Sequence, residues 1–132
     1  EDSPLGLAAW MIDHDAASQA LIARVFDGQS EGITRNDVLD NVTLYWFTGT
    51  AISSARLYEE NKLNFFAPKH VAIPVAVSVF PDEIYAAPQS WTAKAYPQLI
   101  HYNRLPKGGH FAAWEQPQVF SEELRVSFRS LR

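Results

Sequence analysis

The chain has no cysteine, a single methionine, and only 11 basic residues against 15 acidic ones among its 132. Without cysteine there is neither a disulfide framework nor a thiolate metal site, and every mechanism that runs through a cysteine nucleophile is excluded. The few Lys and Arg are scattered. Phosphate binding needs them clustered, so no nucleic acid partner is expected. No apolar run approaches the ~20 residues of a membrane span. The longest, around Leu44–Phe47 and Ile73–Phe80, are core-sized, so no membrane segment is expected in this piece. His14, His70, His101 and His110 follow no ligand spacing, and no metal site is expected. The start, Glu1-Asp2-Ser3-Pro4, has neither the basic region nor the cleavage pattern of a secretory signal, and reads as a chain entered in mid-fold.

What is present suits a soluble, globular piece of domain size: 47% apolar residues, with four Trp, five Tyr and eight Phe that a disordered tail would have to leave wet. Ser3 and Pro4 make a helix start, in which the hydroxyl accepts from a first-turn amide and proline sits where its missing donor costs nothing. Leu5, Ala8, Ala9 and Ile12 are expected on one buried face, in a helix that runs to about Phe26 with a break near His14 to Ala17. Residues 27–32 are polar and contain glycine, so they read as a loop. Thr34 and Asp37 fit a capping box, with Asp37 in place of the usual glutamate. Val38, Leu39, Val42, Tyr45 and Trp46 follow at helical spacing, Gly49 is a fitting stop, and a third helical segment spans about Ile52 to Glu60.

After Pro74 the period changes. Val75 to Phe80 is short, β-branched and almost continuously apolar, which predicts a strand buried on both faces. Pro88 opens a helix that Pro97 closes. Leu99 to Asn103 predicts a second strand, weakened by the polar His101 and Asn103. Gln116 and Pro117 start a last helix, along which Phe120, Leu124, Phe128 and Leu131 recur as an apolar face. Strand, helix, strand, helix with short connections is the signature of parallel strands. The fold class is therefore α/β, and two strands with open edges are expected to be part of a larger sheet.

In open α/β sheets ligands bind at the carboxyl ends of the strands. The loop after Phe80 offers Asp82 and Glu83, and the loop after Asn103 offers His110 behind two glycines. If the strands are neighbours, a carboxylate and an imidazole share one rim. A carboxylate on one ring nitrogen fixes the tautomer and frees the other nitrogen to act as a base. Spacing does not separate Asp82 from Glu83. No G-x-S-x-G elbow is present, and Ser53-Ser54 lies in a helical segment without one. Trp46, Phe47, Phe65, Phe66 and Trp114 read as core rather than as the lining of a lipophilic pocket.

Three blocks carry a resemblance. They are Asp2-Ser3-Pro4-Leu5-Gly6-Leu7-Ala8-Ala9-Trp10, then Asn41 to Thr50 with Ser53-Ser54-Ala55-Arg56-Leu57-Tyr58, then Gly108-Gly109-His110-Phe111-Ala112-Ala113-Trp114-Glu115-Gln116-Pro117. In this order they resemble the C-terminal portion of epoxide hydrolases of the α/β-hydrolase superfamily, of the microsomal and juvenile-hormone type. The resemblance implies that residues 1–68 are a helical cap (lid) segment. It implies that residues 69–132 are the last two strand–helix units of the hydrolase core.

It further implies a mechanism. An aspartate attacks the epoxide, cap tyrosines donate to the ring oxygen, and a histidine with an acid activates the water that releases a vicinal diol from an alkyl-enzyme ester. Carried over by position, His110 matches the water-activating base, Glu83 the charge-relay acid with Asp82 as fallback, and Tyr58 the second cap tyrosine, Tyr45 being the other candidate phenol. The nucleophile, the first cap tyrosine and the oxyanion loop would lie upstream of Glu1, so the 132-residue piece is expected to be inactive alone. The implied partners are a small lipophilic epoxide and water, with no metal or organic cofactor. A homo-oligomer is compatible with this reading, and a cytoplasmic location is the expectation. The competing readings are a non-catalytic remnant that binds an apolar ligand or partner, and an esterase-like hydrolase with an upstream serine.

Overall fold

Ser3 opens the first helix as expected: its Oγ accepts from the Gly6 amide at 2.9 Å, and Pro4 takes the first helical position. The computed structural model describes residues 3–29, 32–62 and 71–132. Phe65, Phe66, His70 and the expected boundary at Pro68 and Lys69 lie outside the described residues. The chain divides into two compact units, Glu1–Asn64 and Phe65–Arg132.

The first unit is helical: α1 Pro4–Ile12, α2 Ala16–Phe26, α3 Arg35–Thr48 and α4 Ala51–Glu60. The break between α1 and α2 falls at residues 13–15, where Asp15 caps α2 by accepting from the Ser18 amide at 2.9 Å. Burial pushes the Asp15 carboxyl up, but hydrogen bonds from His14 and Ser18 outweigh it and hold Asp15 well below the usual carboxylate range. The capping box at α3 is complete, since Thr34 Oγ1 accepts from the Asp37 amide at 3.2 Å and Asp37 accepts from the Thr34 amide at 2.7 Å. Gly49 ends α3 in the left-handed region, at φ +64°.

Leu21 and Val25 of α2, Ile33 just before α3 and Val38 of α3 form the buried cluster, with Ile12 and Ile22 packed against it. Two expected faces are corrected. On α1 the buried residue is Leu7, while Leu5 is 78% exposed and Ala9 is exposed as well. Almost every side chain of this helix is apolar, so hydropathy carries little information about its phase. Phe47 was expected in the core and is 82% exposed. It lies nine positions beyond the buried Val38, which at about 100° per residue is the opposite side of α3. Leu39 is exposed for a related reason, being one step off the Val38 stripe.

The second unit is mixed α/β. β1 Val75–Val79 and β2 Leu99–Arg104 form a two-stranded parallel sheet, joined by α5 Gln89–Ala95 and followed by α6 Ala112–Glu115 and α7 Pro117–Ser127. A 3₁₀ turn, Arg129–Leu131, ends the chain's regular structure. The strand register slips by one residue between Val75 and Ala76. β1 is half-buried along most of its length and buried only at Val79, not buried on both faces. A sheet of two strands offers too little surface to enclose it.

The apolar face expected on α7 is also corrected, since Leu124 and Leu131 are exposed. The side of α7 that meets the sheet is polar at its centre. Glu123 accepts from Ser78 Oγ at 2.7 Å, Asn103 Nδ2 at 2.8 Å and His101 Nε2 at 3.0 Å. The polar residues that weakened the second strand as a sequence pattern are therefore satisfied by one carboxylate. Burial pushes Glu123 up, and the hydrogen bonds from Ser78, Asn103 and His101 more than reverse it, leaving its carboxyl below the ordinary value.

A carboxyl lowered in the native state stabilises the fold above its unfolded value and stops doing so as pH falls through the native one. The native chain is expected to lose this increment as pH drops below the ordinary 4.5. Glu123→Gln should lose about 1–3 kcal/mol at neutral pH and show a flatter acid limb. Urea melts across pH 3–7 check both; equal pH dependence of the two proteins would contradict the role given to Glu123.

Candidate active site

The parallel pairing does not stop at the strand ends. The Leu105 amide donates to Val79 O at 2.9 Å, the Asp82 amide donates to Gly108 O at 3.1 Å, and Asp82 and Gly109 form a further parallel bridge. The two loops that follow the strands are thereby held against each other. Glycine is required at this crossing. Gly108 has φ +105°, and a Cβ there would stand 2.9 Å from Phe80 Cδ1 and 3.1 Å from Gln116 Cγ. At Gly109 a Cβ would meet Asp82 Cβ and the Asp82 carbonyl oxygen, both at 3.2 Å.

One residue beyond the bridge on each loop stand Glu83 and His110. His110 Nδ1 is 2.9 Å from Glu83 Oε2 and 3.2 Å from Oε1. An ionised carboxylate only accepts, so Nδ1 is the donor in this contact, and in the neutral ring the lone pair is then on Nε2. Glu83 is itself oriented, because its Oε1 accepts from the Ile84 amide at 2.8 Å. The side chains are 41% exposed for His110 and 31% for Glu83. An ion pair so open to water contributes little to stability. Its ordered geometry is worth more as chemistry than as glue. A cleft of about 300 Å³ opens beside the pair, lined by Phe80, Glu83, Tyr85, His110, Ala112 and Phe120. The His110 ring meets Phe111 edge-on, with centroids 5.3 Å apart.

An imidazole held by a carboxylate lies beside this cleft, and the relatives that the chain resembles are named as hydrolases. A Stigmatella aurantiaca (strain DW4/3-1) protein provisionally named an epoxide hydrolase is 45% identical over 131 residues, 99% of this chain. Epoxide hydrolase 1 of Oryctolagus cuniculus is 38% identical over 93% of it. Juvenile hormone epoxide hydrolase 1 of Ctenocephalides felis is 30% identical over 99%. The chain is similar to epoxide hydrolases along nearly all of its length. It spans only 29–30% of the length of these relatives. No protein-family model matches the chain.

Within this epoxide hydrolase-like chain, the structure sets Glu83 rather than Asp82 against His110; Asp82 instead takes part in the bridge to Gly109 through its backbone. Tyr58 stands on α4 of the first unit, 74% exposed, with its ring edge-on to Trp10 at 6.5 Å between centroids. Tyr45 is half-buried on α3. A cleft of about 360 Å³ in the same unit is lined by Gly6, Leu7, Trp10, Ala51, Ile52 and Ala55. Among the described residues of this unit, neither Trp46 nor Phe47 lines it, and Trp114 of the second unit, expected in the core, is 43% exposed. Trp114 packs its ring at 6.4 Å from Phe111 on the short α6, a helix too brief to bury both of its sides.

Among the described residues, no group of three or more His, Asp or Glu is placed to hold a metal ion, and no helix is long and apolar enough to cross a membrane. Two carboxylates escaped the sequence reading, Glu123 and Glu115. Glu115 is buried and accepts from the Gly109 amide at 2.8 Å and the Phe111 amide at 3.0 Å. For Glu123 a signal existed: polar residues at alternate strand positions require a polar partner on the covering helix. For Glu115 the only local sign was an acidic residue closing a turn that begins at a glycine pair.

Gly108→Ala is expected to destabilise the second unit by about 1–3 kcal/mol, through both the backbone angle and the contact with the Phe80 ring. Chemical denaturation followed by tryptophan fluorescence measures it. An unchanged midpoint would mean that the loop crossing tolerates a side chain.

Proposed function

We propose that this chain is the C-terminal portion of an epoxide hydrolase of the α/β-hydrolase fold. Residues 1–68 serve as the cap segment and residues 69–132 as the end of the hydrolase core. The whole protein opens a small lipophilic epoxide with an upstream aspartate and hydrolyses the resulting ester with water to a vicinal diol. The observation that carries this reading is the contact of His110 Nδ1 with Glu83 at the carboxyl ends of two parallel strands. It stands in a chain similar to epoxide hydrolases over nearly all its residues.

The chemistry follows from the protonation pattern. With Nδ1–H held by Glu83, His110 Nε2 takes a proton from water as the oxygen attacks the ester carbonyl, and the carboxylate stabilises the imidazolium that forms. Glu83 does not itself need to take the proton. Tyr58 performs the other polar task, donating its phenolic proton to the epoxide oxygen as negative charge develops there. The apolar residues beside His110 suit a lipophilic substrate.

Two variants of the full-length protein test the roles. His110→Gln should still form the alkyl-enzyme ester and then fail to release it, so that the ester accumulates and is visible by intact-mass measurement. Normal turnover by that variant would remove His110 from the mechanism. Tyr58→Phe should slow ring opening by about 10²-fold, less if a second tyrosine shares the oxygen. An unchanged alkylation rate would transfer the task to Tyr45 or to no tyrosine in this chain. The nucleophile upstream decides the reaction class: aspartate agrees with the proposal, whereas serine would make the protein an esterase.

A further inference from the structure

The base stands on a loop whose backbone is gripped from within. Glu115 is 8% exposed, and its two carboxylate oxygens divide their work: Oε2 accepts from the amide of Gly109 and Oε1 from the amide of Phe111. These are the residues on either side of His110. The geometry points to Glu115 as a positioning residue for His110, a carboxylate that fixes the peptide planes flanking the base and thereby sets where the imidazole meets Glu83 and water.

The segment enters from the bridge at Asp82 and Gly109, which fixes the backbone before His110. After His110 the chain enters α6, a single turn of four residues, Ala112–Glu115, whose Trp114 and Glu115 amides donate to Phe111 O at 2.8 and 2.9 Å. Glu115 closes that turn by reaching back to the residue that caps it, in the manner of the acidic residue of a capping box. It also spans to the far side of His110, which a capping residue has no need to do. A buried carboxylate is a pure acceptor with two oxygens, matched here to two amide donors. Glutamine offers one acceptor and sets an NH₂ against the other N–H. Aspartate keeps both acceptors but is one methylene short.

A Cβ at Gly109 would stand 3.4 Å from Glu115 Oε1, an ordinary contact and looser than the 3.2 Å to Asp82. Catalysis is sensitive to such arrangements: a displacement near 1 Å of a reacting group can cost on the order of 100-fold in rate.

The inference rests on the reading of His110 as the water-activating base, and the experiment separates the two. In the full-length protein, single-turnover kinetics on styrene oxide resolve ester formation from ester hydrolysis for wild type, Glu115→Gln and His110→Gln. Glu115→Gln is expected to form the ester at the wild-type rate and hydrolyse it about 10- to 100-fold more slowly. A merely structural role would lower both steps together, and that result would overturn the inference. So would wild-type hydrolysis by Glu115→Gln while His110→Gln traps the ester. Normal hydrolysis by His110→Gln would instead overturn the base assignment and this inference with it. Should Glu115→Gln fail to fold, Glu115→Asp carries the same comparison, with a partial loss confined to hydrolysis expected and an equal loss in both steps overturning the proposal.

Discussion

Parallel pairing that outlasts the strands is the constraint on which the site depends. Val79 with Leu105, and Asp82 with Gly108 and Gly109, extend the hydrogen-bonded contact past the last ladder residues. Two loops far apart in the chain are joined at their bases, and the next residue on each is an acid and an imidazole. The pairing is made by backbone groups, so side chains in the loops are free to serve chemistry. What they must concede is volume, and the chain concedes it with two glycines, Gly108 against the buried Phe80 and Gly109 against Asp82.

Carboxylates organise the second unit at three depths. Glu123 gathers Ser78, His101 and Asn103 between α7 and the sheet, Glu115 gathers amides inside a loop, and Glu83 faces an imidazole at the rim. The first two lie in surroundings where an unsatisfied polar group is costly, and each is fully engaged. The third is a third exposed and holds its partner with little energetic consequence. The satisfied groups lie inside the unit and the solvated pair at its surface.

Much of this was legible without coordinates. Ser3 with Pro4, Thr34 with Asp37, and Gly49 marked helix ends because caps are local chemistry, written within four residues. β1, α5 and β2 were legible from period and proline, and Glu83 and His110 from the rule that places ligands at strand carboxyl ends. Helix phase was less readable. α1 is apolar nearly all round, and the exposed Leu5 and Phe47 look in sequence like any core residue. The covering side of α7 misled more, because a helix that buries a glutamate for three polar strand residues has the hydropathy pattern of one that does not. Glu115 was hidden since its partners are amides, which leave no trace in side-chain identity.

The one-residue slip between Val75 and Ala76 has a result that reaches across the whole sheet. Val75 stands opposite Leu99 but Ala76 opposite His101, so Ile100 is passed over and the alternation of β2 is inverted relative to β1 from there on. Ser78 then shares its side of the sheet with His101 and Asn103, while Val77 lies level with Tyr102. A uniform ladder would have set the imidazole beside the valines and stranded the serine hydroxyl among aromatic neighbours. A small irregularity at the entrance thus acts as a sorting step, gathering Ser78, His101 and Asn103 on the one side where Glu123 meets all three.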